Sequence, residues 1–284
     1  MINYKNLFKK SKELSQKNNL TQLELYQRFM FERILERISV SKYNENFILK
    51  GGLLLSAMFG IQSRSTRDMD VTIKGIDVSK EKMVQVLNEI LSIDLEDGVK
   101  FEVVDITDIR EDDEYGGNKY HLIGKIENLK VALEIDISTG DEVTPKELDY
   151  QYQSLFENKK INIGTYNIET ILAEKIETIL TRGKYNTRMK DYYDVHMFLT
   201  NFSDKYNIEN LKLAMKNTFN KRKSFESLRD YVQILESIAS DDRAQKLWNT
   251  YARKNTYAKG IEFISIADEI ENMISSLDID IVSV

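Results

Sequence analysis

Two aspartates one residue apart, inside a segment that reads as a buried strand, set the strongest constraint on this chain. The segment is KGGLLLSAMFGIQSRSTRDMDVTI, Lys50 to Ile73. Met69 to Ile73 alternates apolar and polar residues, which predicts a strand whose side chains point to opposite faces. Met69, Val71 and Ile73 share the apolar face. Asp68 and Asp70 share the other with Thr66 and Thr72. Carboxylates placed so closely repel each other. A divalent cation removes that penalty, because hard cations take carboxylate oxygens at short range. The pair therefore reads as a metal-holding site, against the plainer reading of a solvated strand end.

The upstream residues favour the metal. Gly51 and Gly52 open an apolar, helix-like segment that runs to Phe59. Glycines at a helix start let backbone N–H groups approach a phosphate, and the helix dipole favours the anion. A phosphate cradle and a carboxylate pair, one short helix apart, are the two parts that phosphoryl or nucleotidyl transfer needs. Arg64, Ser65, Thr66 and Arg67 lie close enough in sequence to add phosphate contacts, with Arg67 structural if it shares the Met69 face. A third carboxylate is expected on a neighbouring strand. In KVALEIDIST, Val131, Leu133, Ile135 and Ile137 form one face and Ala132, Glu134, Asp136 and Ser138 the other. Asp136 is the candidate and Glu134 the reserve.

Composition narrows the chemistry. The 284 residues contain no cysteine and two histidines, His121 and His196. Disulfides and cysteine-based zinc sites are excluded, and a histidine-rich site is not expected. A divalent metal must use carboxylates, which favours Mg²⁺ or Mn²⁺. The net charge of −6 argues against a surface that coats nucleic acid indiscriminately. Local basic clusters remain: Arg182, Lys184, Arg188 and Lys190, then Lys221, Arg222 and Lys223. No stretch approaches the roughly 18 to 20 apolar residues of a membrane span, and the first residues carry no apolar signal region. A cytoplasmic protein, without a membrane, is expected.

One proline and 12 glycines suggest a helix-rich chain. Thr21 and Glu24 predict a capping box at the head of a helix reaching Ile38. Ser79 is expected to cap a helix through Ile93. Three strand-like runs, from Val99, Lys119 and Lys130, predict an antiparallel meander. From about Ile168 onward, helical periods cover 169–181, 187–200, 208–219, 224–238 and 260–276. An α+β chain is expected, with domains at 1–165 and 166–284, the first with a small mixed sheet and the second all helical.

Within IETILAEKIETIL, Lys175 falls inside the apolar stripe of its helix. It either snorkels out or meets an anion within the protein. Glu174 and Glu177 read as solvated. In TRMKDYYDVHMFLT, Asp191 and Asp194 share a face of a largely apolar helix, so they need partners. Lys175 is the nearest candidate in sequence, and a purely structural Lys–Asp lock is the plainer alternative. His196 reads as a core histidine.

The order KGGLLL…RSTRDMDVTI, EIDIS, then AEKIETIL…TRMKDYYDV resembles the AbiEii family of nucleotidyltransferase-like toxins of bacterial abortive-infection toxin–antitoxin systems, most strongly over about 45–200. The resemblance implies a DNA polymerase β-type nucleotidyltransferase fold followed by a helical domain. It implies an NTP, with GTP preferred, a divalent metal, and a tRNA 3′ end as acceptor. It also implies phage defence and a cognate antitoxin encoded nearby that need not bind the toxin; a monomer is expected. Carried over by position, Gly51 and Gly52 match the glycine–serine motif, Asp68 and Asp70 the metal pair, Lys175 the motif lysine, and Asp191 and Asp194 the later D-x-x-D. The family's serine is Gly52 here, which puts the details of triphosphate binding in question. Two rival readings stand beside this one. A small-molecule nucleotidyltransferase of the antibiotic-modifying kind uses the same metal pair, and a non-catalytic module would bind NTP without releasing pyrophosphate.

Overall fold

The structure, a computed structural model, describes residues 3–18, 20–64, 66–77, 79–109 and 117–279. Among these are seven strands and eleven α-helices, an α+β composition. The chain divides into two compact units: Met1–Asp141 with Glu147–Thr165, and Glu142–Lys146 with Tyr166–Val284.

The first unit is built on one mixed sheet of order β3-β4-β5-β2-β1-β7-β6. The strands are β1 (Phe47–Lys50), β2 (Asp68–Ile73), β3 (Val99–Asp108), β4 (Gly117–Ile126), β5 (Leu129–Thr139), β6 (Leu148–Gln153) and β7 (Lys160–Thr165). The expected meander is β3–β4–β5, antiparallel throughout. β2 runs parallel to β5 and antiparallel to β1. The alternation in β2 and β5 does what it predicts. Met69, Val71, Ile73, Val131, Leu133, Ile135 and Ile137 are all buried, while the aspartates on the other face are half-buried. Each such apolar side chain contributes about 1.5–3 kcal/mol when fully buried, which fixes the register and therefore the polar face.

Helix α2 (Gln22–Val40) packs on β5 and β7 through a wholly buried row that includes Leu25, Phe29, Met30 and Ile34. Its capping box is formed: the Thr21 amide donates to Glu24 at 2.8 Å and the Glu24 amide to Thr21 at 3.2 Å. α1 (Tyr4–Asn18) lies against α2, and α4 (Lys80–Leu91) against β3. Ser79 precedes α4 but makes no cap bond; its hydroxyl donates to Asp77 instead. α3 (Gly51–Phe59) joins β1 to the turn before β2.

Every element of the second unit is helical among the described residues: α5 (Ile168–Arg182), α6 (Met189–Asn201), α7 (Ile208–Lys221), α8 (Phe225–Arg229), α9 (Tyr231–Ala239), α10 (Asp242–Lys254) and α11 (Phe263–Ser276), with 3-10 turns at Gly183–Tyr185 and Thr256–Ala258. Asn167, Asn207 and Asp241 cap α5, α7 and α10 by accepting a backbone amide three residues on. The segment expected as one helix over 224–238 is two, divided at Asp230. α10 was not expected from the apolar period. It buries only Ala244 and Trp248, the latter donating its indole N–H to Ile261 O at 2.9 Å.

Candidate active site

The polar face of β2 and β5 gathers three carboxylates. Parallel pairing sets Asp70 beside Asp136 and Asp68 beside Glu134. Ligand oxygens of Asp68, Asp70 and Asp136 lie within 4.8 Å of one another, and all three residues are half-buried. Glu134, the reserve, is not in this group. It is largely exposed and shares Lys119 (3.0 Å) with Asp136 (2.8 Å). Burial pushes the Asp136 carboxyl up, Lys119 opposes it, and Asp68 adds to the rise. The same two acids hold the Lys119 ammonium protonated against its own desolvation.

The glycines are required by this arrangement. Gly51 has φ +65°, and a Cβ there would fall 1.9 Å from Asp70 Oδ2. The Asp70 carboxylate thus rests against the first turn of α3, where only a residue without a side chain fits. A Cβ on Gly52 would lie 2.4 Å from Thr66 Oγ1. The space a serine at 52 would need is filled by Thr66, whose hydroxyl donates to Asp68 Oδ1 at 2.7 Å. An all-oxygen donor set of carboxylates converging on one point, with one carboxylate seated in a glycine cradle, fits a hard divalent cation.

Sequence reasoning missed one neighbour. Lys50, paired in register with Asp70 on β1, donates to Ser138 Oγ (2.8 Å) and Asp141 Oδ2 (2.6 Å). Asp141 is nearly fully buried. The signal was present, since Ser138 follows Asp136 on the same strand face and Lys50 directly precedes the glycines.

In the second unit, Lys175 on α5 meets both aspartates of α6. Its Nζ lies 2.7 Å from Asp191 Oδ1 and 2.8 Å from Asp194 Oδ2, with side chains 15%, 2% and 0% exposed. Arg188 Nε takes the other oxygen of Asp191 at 2.7 Å. Burial opposes charge on Asp191, but Lys175 and then Arg188 outweigh it and hold the carboxyl well below the usual carboxylate range. Its place in the first turn of α6 adds the favourable end of the helix dipole.

The other expected residues are placed as follows. Arg64 is buried, Thr66 is as described, and Ser65 lies outside the described residues. Arg67 is 80% exposed, with Nε 3.8 Å from Glu24. Glu177, expected to be solvated, is buried and accepts from Arg222 at 2.6 Å, because α7 brings Arg222 onto its face of α5. Arg222 is thereby removed from the basic run, and Arg188 is held by Asp191. His196 is not a plain core histidine: its Nδ1 lies 2.7 Å from Glu269 of α11.

Comparison with known proteins follows the same lines. The profile of the family described as nucleotidyl transferase AbiEii toxin, type IV TA system, matches residues 33–265. No curated protein matches in sequence. Among solved structures, JHP933 from Helicobacter pylori is similar at 15% identity and TM-score 0.49, covering 91% of this chain and 93% of its own. Another H. pylori structure, of a chain described as a nucleotidyltransferase, is similar at 16% identity and TM-score 0.50, covering 91% and 96%. At this identity the likeness concerns the fold.

Proposed function

The chain belongs to the AbiEii family of nucleotidyl transferase toxins of type IV toxin–antitoxin systems, and we propose that Asp68, Asp70 and Asp136 are its metal-holding centre for transfer of a nucleotide to RNA. Membership makes it a nucleotidyltransferase and implies an NTP and a cognate antitoxin. The observation that carries the finer reading is the in-register convergence of Asp70 and Asp136, with Asp68 on the same face. In this reading the first unit is a polymerase β-type nucleotidyltransferase domain, and the second, near 166–284, a helical domain.

A bound divalent cation, Mg²⁺ or Mn²⁺, would supply charge to the phosphate oxygens of the NTP. The chain's own residues do the rest. The three carboxylates orient, Gly51 and Gly52 leave the α3 backbone bare for phosphate oxygens, and Arg64 and Thr66 border the same turn. Ser65 and Arg67 stay in the proposal as phosphate contacts, Arg67 from an exposed position. The acceptor hydroxyl oxygen bonds to the α-phosphorus as the bond from that phosphorus to the bridging oxygen breaks, pyrophosphate departs with the electron pair, and the hydroxyl proton passes to water. Lys175, Asp191 and Asp194 are proposed as residues the activity requires. Both Asp191 oxygens are held by cations and its carboxyl is strongly acidic, which suits it to positioning Lys175 and not to accepting a proton.

The acceptor proposed is the tRNA 3′ end and the NTP proposed is GTP. The setting proposed is phage defence by a monomeric cytoplasmic toxin whose antitoxin, encoded nearby, need not bind it. The test is incubation with each α-labelled NTP, Mg²⁺ and total bacterial RNA, beside Asp70→Ala. Label on tRNA that requires Asp70 is the expected result. Label on no RNA with any NTP, from protein that is toxic on expression, overturns the RNA acceptor.

A further inference from the structure

Lys50 ends β1 and lies on the same face of the sheet as the aspartates. The strand order places β2 between β1 and β5. Lys50 pairs with Asp70, Asp70 with Asp136 and Thr72 with Ser138, and directly paired residues share a face. Lys50 and Ser138 therefore flank β2, on strands two spacings, or roughly 10 Å, apart. The Lys50 side chain spans that distance over β2. Its Nζ donates to Ser138 Oγ at 2.8 Å and to Asp141 Oδ2 at 2.6 Å. Ser138 Oγ donates to the same Asp141 oxygen at 2.9 Å, which closes the triangle. The Lys50 and Asp141 side chains are 19% and 2% exposed. The Lys50 main chain is placed as tightly. It is extended, with φ −138°, and leads directly into α3. Gly51 follows at φ +65°, with the Asp70 carboxylate resting against it.

We propose that Lys50 is a positioning residue of the metal centre, a strut that sets the glycine turn and the Asp136 strand on either side of Asp70. The proposal rests on the metal reading of Asp68, Asp70 and Asp136. On charge alone a lysine is unfavourable here, because an ammonium near a cation site opposes the cation. Burying the lysine with Asp141 adds a desolvation penalty. What the pair supplies is geometry. The Gly51 turn makes room for Asp70 on one flank and Asp136 lies on the other, so convergence of the carboxylates depends on the spacing of β1 and β5 across β2. Lys50 fixes that spacing at the level of the carboxylates, where β1 gives way to α3 and its ladder ends. Asp141 meets the ammonium within the chain, which limits its opposition to a bound cation.

The probe is Mn²⁺ alone, titrated into metal-free protein and followed by the electron paramagnetic resonance of the free ion. Charge and position predict opposite signs. Removing an ammonium near the site tightens a cation by charge, whereas losing the strut loosens it. Lys50→Met should weaken Mn²⁺ binding at least about tenfold, the scale of losing a residue that orients metal ligands. Lys50→Arg, which can keep the tie, should retain most of the affinity. Lys50→Met leaves Asp141 buried without its cation, so a second variant, Lys50→Met with Asp141→Asn, removes both charges together. It should fold and still bind Mn²⁺ about tenfold more weakly. Mn²⁺ held by this double variant as tightly as by wild type, or more tightly, overturns the strut. Asp70→Asn tells the two readings apart: binding lost there but kept in the double variant leaves the metal centre standing and removes Lys50 alone. A wild type that binds no Mn²⁺, or binding that Asp70→Asn leaves intact, overturns the metal centre and the strut together.

Discussion

Asp68, Asp70 and Asp136 converge their oxygens within 4.8 Å on half-buried strands, whereas Asp191 and Asp194 close on Lys175 Nζ at 2.7 and 2.8 Å inside a helical core. The residue type is the same and the electrostatic design differs, although Lys119 takes Asp136 at 2.8 Å. In the helical cluster the shared point is an ammonium supplied by the chain itself. Breaking such a pair strands charge where water cannot reach. In the strand cluster the shared point is bounded by carboxylate oxygens beside a glycine turn, and the carboxylates keep contact with solvent. Alignment of aspartates in sequence is therefore a poor guide to role until the partner at their common point is known.

The largest effect that tests this contrast is on activity. Asp70→Asn should lower nucleotidyl transfer about a thousandfold or more, the scale of removing a principal electrostatic contribution to a transition state. Its thermal midpoint without metal should fall far less than that of Lys175→Met, since Asp70 is half-buried and keeps contact with solvent. Full activity in the labelled-NTP assay would remove Asp70 from the mechanism. Lys175→Met should do what Asp70→Asn does not: it should lower unfolding free energy by about 3–5 kcal/mol in denaturant titration, because two buried carboxylates lose their ammonium. Adding Asp191→Asn and Asp194→Asn should restore most of that stability without restoring transfer. Recovery of activity in the triple variant would make the cluster structural only.

The difference between the clusters also explains what could be read from sequence. β2 and β5 announce themselves because one face is buried and the other is not, so period-two alternation survives, and Asp70 and Asp136 fall on the predicted face. β1 was illegible because FILK is apolar on nearly every residue, and β6 because LDYQYQ buries only Tyr152. α10 was missed because its burial is concentrated on one indole and one alanine. Lys175 was legible as a cation inside an apolar stripe. Glu177 was not, because its partner Arg222 lies 45 residues on, in a run that read as a solvated basic face.

A smaller effect sharpens the strand side of the comparison, which alone relies on bare backbone. Gly52→Ala places a methyl 2.4 Å from Thr66 Oγ1 and 2.8 Å from its Cβ. It should cost about 1–3 kcal/mol, the usual scale of overpacking, and Thr66→Gly in the same chain should recover most of it. If Gly52→Ala is neutral in the melt, the packing of Thr66 into the place of a side chain at 52 is wrong.

The smallest effect is the pH dependence of the helical side. Asp191 titrates well below its unfolded value of about 3.9, so its pairing is fully present above that pH. The contribution is lost as pH falls through 3.9 toward the folded-state value, because the unfolded chain then binds the proton more readily. The slope for one proton is at most about 1.4 kcal/mol per pH unit. Denaturant unfolding in metal-free buffer between pH 5 and 3 should show this acid limb, and Asp191→Asn should flatten it. Asp136→Asn should leave the limb in place, since burial moves that carboxyl the other way. An acid limb unchanged by Asp191→Asn would mean that the Lys175 and Arg188 contacts do not hold the charge in solution, and the contrast between the two clusters would then rest on geometry alone.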